Sequence, residues 1–128
     1  MTPEASAYLT KARQCLANAK ASLGFGLSND AGRGAYLAAY HASQAFIFEQ
    51  TGKAAKTHQG VQSEFHRLAR QEPRIDKEFP QFITKAYNLK AVADYETGPN
   101  SDVPKERSAE AIKTAARFVD CIAWLLES

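Results

Sequence analysis

At 128 residues the chain has a length that one hydrophobic core commonly serves, so residues 1–128 read as a single helical domain. A hydrophobic fraction of 45% beside 23% charged residues excludes a disordered, highly charged segment. Sixteen basic against 14 acidic residues leave a formal net charge of +2, which excludes a whole-molecule nucleic-acid footprint and confines any RNA contact to a local patch.

The first apolar row, Tyr8, Leu9, Ala12, Cys15, Leu16, Ala19 and Leu23, recurs every three or four residues and predicts a helix from Pro3 to about Leu23. Thr2 followed by Pro3 reads as an N-cap and first helical position, and Gly24 and Gly26 end the helix. A second helix is expected from a cap at Asn29 or Asp30 to about Gln50. Its middle, AYLAAYHASQAFIF, is apolar nearly all round, as suits the centre of a bundle. A shorter helix follows from Thr57 to about Arg70, with Val61, Phe65 and Leu68 as its buried row.

Phe79, Phe82, Ile83, Ala86, Leu89 and Ala93 anchor a fourth helix that finishes before Gly98. Asp76 can cap it, whereas a start nearer Pro80 avoids a lost early hydrogen bond. After the polar loop TGPNSDVP, a last helix spans about Pro104 to Leu126, with Ile112, Ala115, Ala116, Val119, Ile122, Ala123 and Leu126 facing inward. No segment alternates as a strand. The expected fold is all-α, an up-and-down antiparallel bundle of four long helices and one shorter one.

Cys15 and Cys121 fall among apolar residues and read as buried free thiols. No Cys/His spacing suits a metal, so neither metal nor cofactor is expected. No apolar run approaches the roughly 20 residues that span a bilayer, and the start MTPEASAYLTK lacks a signal pattern, so a cytoplasmic protein without membrane contact is expected.

Chemistry concentrates on the second helix. At about 100° per residue, Arg33, Tyr36, Tyr40 and Gln44 share one stripe. An arginine on a mostly buried helix needs an acidic partner, and the fourth helix offers Asp94 on a face shared with Tyr87 and Lys90. Arg33 is therefore expected to pair with Asp94, with the tyrosines closing the site from water. Two roles are open to this cluster: an ion pair that fixes helix register, or a polar pocket for a nucleotide or phosphate.

His58, in KTHQG beside Lys56, can help bind an anion at a helix start, or it can be a cap or a solvated surface group. His66, flanked by Glu64, Arg67 and Arg70, is expected on an exposed face without a role. His41 and Tyr95 are weak catalytic candidates, and a satisfied, partly buried histidine is the simpler reading of His41. Lys53, Lys56, Arg67, Arg70, Arg74 and Lys77 can touch RNA phosphates or form a solvated face, while the aromatics that would stack on bases are expected in the core.

The segment AGRGAYLAAYHASQAFIFEQTGKAAKTHQGV, with an Arg, spaced aromatics, a His-Ala step, a Gly-containing loop and a Lys-Thr-His opening the next helix, resembles the HEPN domain pattern. NLKAVADY resembles its later Ala-Asp-Tyr motif, with Lys90 where Arg is commoner. The likeness covers about residues 5 to 126. It implies a helical bundle that commonly dimerises, encoded beside a minimal nucleotidyltransferase in toxin–antitoxin or defence systems. Active members resemble metal-independent ribonucleases with an Arg and a His separated by four to six residues.

Here none of Arg13, Arg33, Arg67, Arg70, Arg74, Arg107 and Arg117 has a histidine at that spacing, and Arg33 to His41 is too long. The expectation is a non-catalytic HEPN-type module that homodimerises and binds a nucleotidyltransferase partner or a nucleotide. The alternatives are a ribonuclease toxin with a divergent site and a purely structural interaction domain.

Overall fold

A computed structural model describes residues 1–98 and 102–127. Among them are five α-helices and no strand: α1 Pro3–Gly24, α2 Ser28–Thr51, α3 His58–Ala69, α4 Glu78–Tyr95 and α5 Lys105–Glu127. The fold is an all-α helical bundle.

Tethers between helix ends fix the directions. Thr2 caps α1 by accepting from the Ala5 amide at 3.1 Å. Its own amide and hydroxyl both donate to Glu49 Oε1 at 2.9 Å, so the start of α1 lies beside the end of α2. At the other end, Ser108 Oγ donates to the Ser28 carbonyl at 2.7 Å, bringing the start of α5 to the start of α2. Arg33 near the start of α2 meets Asp94 near the end of α4. The four long helices thus run up, down, up and down.

α2 is the central element and packs against all four others. Small residues make this possible: Ala31, Ala35, Ala38, Ala39, Ala42 and Ala45 are fully buried, which lets neighbouring backbones approach closely. At Gly34 the approach is tightest, since a Cβ there would stand 2.9 Å from the Ala19 Cβ of α1. Larger side chains fill the remainder, with Phe65 of α3 stacked on Phe118 of α5 at 5.2 Å and Phe79 of α4 against the same ring. Burying such rings is the main apolar contribution to stability.

Several local expectations are corrected. α2 starts at Ser28 behind Leu27, which makes no side-chain cap bond. Asn29 instead accepts from the Val103 amide at 2.7 Å and donates to Asp102 at 3.0 Å, so a residue that looks like a helix cap tethers a distant loop. α4 starts at Glu78 rather than at Pro80, with Asp76 Oδ1 accepting from the Glu78 amide at 2.8 Å. Pro80 then lies in the first turn, where amides have no helical partner and the ring removes nothing. Ala69 replaces Leu68 in the buried row of α3, and Phe118 joins that of α5, where Ala116 is half-buried. Cys15 and Cys121 are free but only half-buried. The loop expected at 97–104 falls partly outside the described residues. Among the described residues no helix is long and apolar enough to cross a membrane.

Candidate functional site

The polar stripe of α2 meets the segment that joins it to α3. Tyr40 donates its phenolic proton to the Lys56 carbonyl at 2.7 Å, and Gln44 Nε2 donates to the Ala55 carbonyl at 2.9 Å. Tyr36 lies 2.8 Å from His58 Nδ1, and Gln62 donates to the same phenol oxygen at 3.4 Å. One face of α2 therefore holds residues 55, 56 and 58 in place. Lys56 takes part through its backbone, while its side chain stays exposed.

One histidine tautomer is fixed by these bonds. The Tyr36 hydroxyl and His58 Nδ1 share one proton, and either atom can be its donor. The Gln44 amide is already donating to Ala55, so its oxygen must accept from His41 Nδ1, 2.7 Å away. Neutral His41 therefore carries its proton on Nδ1, with Nε2 bare.

Burial favours the neutral forms throughout. Desolvation pulls His58 below the ordinary histidine range, aided by the charges of Lys90 and Arg33 and opposed by Asp94. Desolvation likewise lowers His41, against the Gln44 hydrogen bond, which raises it. The Tyr36 hydroxyl is pushed up to about 12, chiefly by burial. His58 also packs against three rings, with centroids 5.6 Å from Tyr36, 4.7 Å from Tyr40 and 5.3 Å from Tyr87.

The charged part adjoins this aromatic box. Arg33 Nε donates to Asp94 Oδ1 at 2.9 Å, and Lys90 Nζ donates to Asp94 Oδ2 at 2.7 Å. Asp94 is held below the usual carboxylate range, first by the Lys90 hydrogen bond and then by Arg33. Lys90 is raised by the same bond. Two cations thus share one carboxylate, leaving a local positive charge. The pair expected from the sequence is present but less buried than expected, since the Arg33 side chain is 43% exposed.

Two further expectations change. The aromatics are not all in the core, because Tyr95 is 71% and Tyr87 36% exposed. Lys90 sits over the Tyr95 ring at 5.3 Å, a cation–π contact. His66 is half-buried rather than exposed, and it is bonded to Thr84 Oγ1 at 2.8 Å. Arg33, Tyr36, Tyr40, Tyr87, Lys90, Asp94, Tyr95 and His58 therefore gather where α2, α3 and α4 meet. His41 touches this group only through the Tyr40 ring, edge-on at 5.1 Å, and lines a cleft between α1 and α2 that also contains Arg33. His58 is the member that the sequence did not place here. Its signal was present, since Tyr36 and Tyr40 lie on the α2 face that the returning loop covers.

No group of three or more acidic, His or Cys side chains suited to a metal exists among the described residues. The cluster offers instead cations, a histidine held in its neutral form by burial and exposed aromatic rings, which suit the phosphate and base of a nucleotide unit.

A family model described as HEPN domain matches residues 5–125. The chain is also 35% identical over 125 residues to "Putative toxin MJ0605" of Methanocaldococcus jannaschii, a match spanning 97% of this chain and 90% of that protein.

Proposed function

The chain belongs to the HEPN domain family, and we propose that it is the toxin-type member of a toxin–antitoxin pair, binding a nucleotide unit at the α2–α3–α4 face. The observation that carries this is the convergence of Arg33 and Lys90 on the single carboxylate of Asp94, beside His58 and the exposed Tyr87 and Tyr95 rings. A phosphate takes up the unbalanced positive charge, and the rings give a base a stacking surface. The toxin role is supported by the relative's name and the near full-length match. A homodimer, and a nucleotidyltransferase protein as the partner that restrains it, complete the proposal on the family resemblance.

A second reading, metal-independent RNA cleavage at the same face, is favoured by His58. Attack by a ribose 2′-hydroxyl needs a proton acceptor or donor beside a cation. The sequence shows no such pair at the family spacing, yet in space Lys90 and Arg33 act on the charge of His58.

One experiment addresses both. Labelled oligoribonucleotide and AMP are titrated against the purified chain and against Lys90→Ala and His58→Ala, and the RNA is then examined on a gel. Binding without cleavage, weakened in Lys90→Ala, supports the first reading. Cleavage that His58→Ala abolishes supports the second. If neither ligand binds, the site assignment fails.

A further inference from the structure

Arg33 borders two spaces. Its Nε is held by Asp94, but its other N–H groups make no hydrogen bond to the described residues. On the far side of α2, Arg33 lines a cleft of about 440 Å³ with Lys11, Asn18, Ser22, Asp30 and His41. That volume lies within the range of small-molecule pockets. Ala19 and Gly34 line it as well, and their small size leaves room above the α1–α2 contact.

The chemistry of the lining selects an anion. Lys11 and Arg33 supply two positive charges against one from Asp30, and Asn18 and Ser22 add neutral donors. His41 is held by Gln44 with its proton on Nδ1, leaving Nε2 able to take a second proton. A planar guanidinium with unused donors is suited to two oxygens of one phosphate.

We propose that the α1–α2 cleft binds a phosphate monoester dianion of mononucleotide size, held by Arg33, Lys11 and His41. This site is separate from the α2–α3–α4 face and does not depend on the function assigned there, although the two share Arg33. The charge count fits: once His41 is protonated, the lining carries a net charge of +2.

Binding is therefore linked to proton uptake at His41. The groups bearing on that histidine are Lys11 and the Cys15 thiol on α1, Asp30, Arg33 and Tyr40 on α2, and His58 on α3. Burial and Lys11 keep His41 neutral while the cleft is empty, and a bound dianion reverses the balance.

The test is a titration of the full chain with inorganic phosphate, AMP, adenosine, and matched oligoribonucleotides with and without a 5′-phosphate, following the His41 ring resonances. Phosphate and AMP are expected to shift them and adenosine is not. For AMP, whose phosphate has its second pKa at about 6, affinity is expected to tighten severalfold between pH 7.5 and 6.5, less than the roughly tenfold of one full proton because the free dianion is itself partly protonated. Lys11→Ala weakens binding about tenfold, which is the loss of one charged contact. His41→Gln, followed by calorimetry, loses the tightening toward pH 6.5 and keeps only the weakening from protonation of the phosphate, with thermal unfolding used to show that each variant is folded. Lys113→Ala, which removes a charge from the exposed face of α5 outside this cleft, leaves binding unchanged.

Response to the 5′-phosphorylated oligonucleotide assigns the phosphate to an RNA end, and response to AMP alone assigns it to a free nucleotide; both uphold the site. No His41 shift with any phosphate, or the same weakening in Lys113→Ala as in Lys11→Ala, overturns it. Failure of the α2–α3–α4 assignment is read separately, from oligoribonucleotide binding that ignores Lys90→Ala.

Discussion

The Tyr36 hydroxyl is hydrogen-bonded to His58 Nδ1 across 2.8 Å, from a phenol that is wholly buried in the centre of the bundle. The bond ties the first residue of α3 to the middle of α2. Tyr36→Phe keeps the ring and leaves His58 Nδ1 without its phenol partner. The expected loss is about 1–2 kcal/mol in urea unfolding, the usual range for stranding one partner of a semi-buried bond. A variant as stable as the parent would show that the bond does not hold the loop.

Stability near neutral pH is expected to depend on His41 and His58. Both are lowered in the folded state, chiefly by desolvation, against an unfolded value of about 6.5. The unfolded chain therefore binds more protons as pH falls, so stability is full above about pH 6.5 and declines as pH drops toward the lowered folded values. Urea midpoints measured at pH 7.5 and 5.5 check this, and the double variant His41→Gln, His58→Gln is expected to flatten the difference.

Asp94 acts in a lower window. Its carboxyl is depressed below the ordinary carboxylate value by Lys90 and then Arg33, so its contribution is present above about pH 4 and is lost as pH falls through the depressed value. Because the Arg33 side chain is 43% exposed, water moderates the loss. Asp94→Asn is expected to cost about 1 kcal/mol rather than to unfold the bundle. A loss several times larger would mean that Lys90, which is nearly buried, cannot find water once its partner is neutral.

These residues also show what the sequence can and cannot reveal. The Arg33–Asp94 pair was legible because helical spacing puts each residue on a predictable face and an inward-leaning arginine requires a counter-charge. The bundle was legible because apolar periodicity and the Thr2 cap are local signals. Other partners were hidden because they are backbone atoms: nothing in the letters at 55 and 56 says that their carbonyls accept from Gln44 and Tyr40. His58 was hidden for the same reason, since its surroundings depend on which way residues 52–57 fold back. Asn29 misled because the short amide that caps helices serves equally well to bind the Val103 amide.

The α1–α2 interface sets a steric limit that substitution at Gly34 can measure. A Cβ at that position would stand 2.9 Å from Ala19 Cβ, and 3.3 Å from both Ala19 Cα and the Cys15 carbonyl oxygen. Two of those three neighbours are backbone atoms, so relief requires α1 to move. Against this, alanine favours helix by about 1 kcal/mol over glycine. Gly34→Ala is therefore expected to be near neutral or mildly destabilising, whereas Gly34→Val adds two methyl groups with no room for them and is expected to lose about 2–3 kcal/mol. Thermal unfolding of both variants decides the matter.

Ser43 is the least explained polar residue of α2, and its removal tests how dry the centre of the bundle is. Its side chain is fully buried, and its hydroxyl has no hydrogen-bond partner among the described residues. An unpaired buried hydroxyl opposes folding by about 1–3 kcal/mol, while alanine keeps the Cβ and has the higher helix propensity. Removing one oxygen leaves a space smaller than a methyl group, so the cavity penalty is small. Ser43→Ala is expected to raise stability by about 1 kcal/mol in urea unfolding, with unchanged nucleotide binding because residue 43 lies on none of the clefts around Arg33. A destabilised variant would instead show that the hydroxyl is satisfied by water in solution, and that the interior of the bundle is wetter than its alanine-rich packing implies.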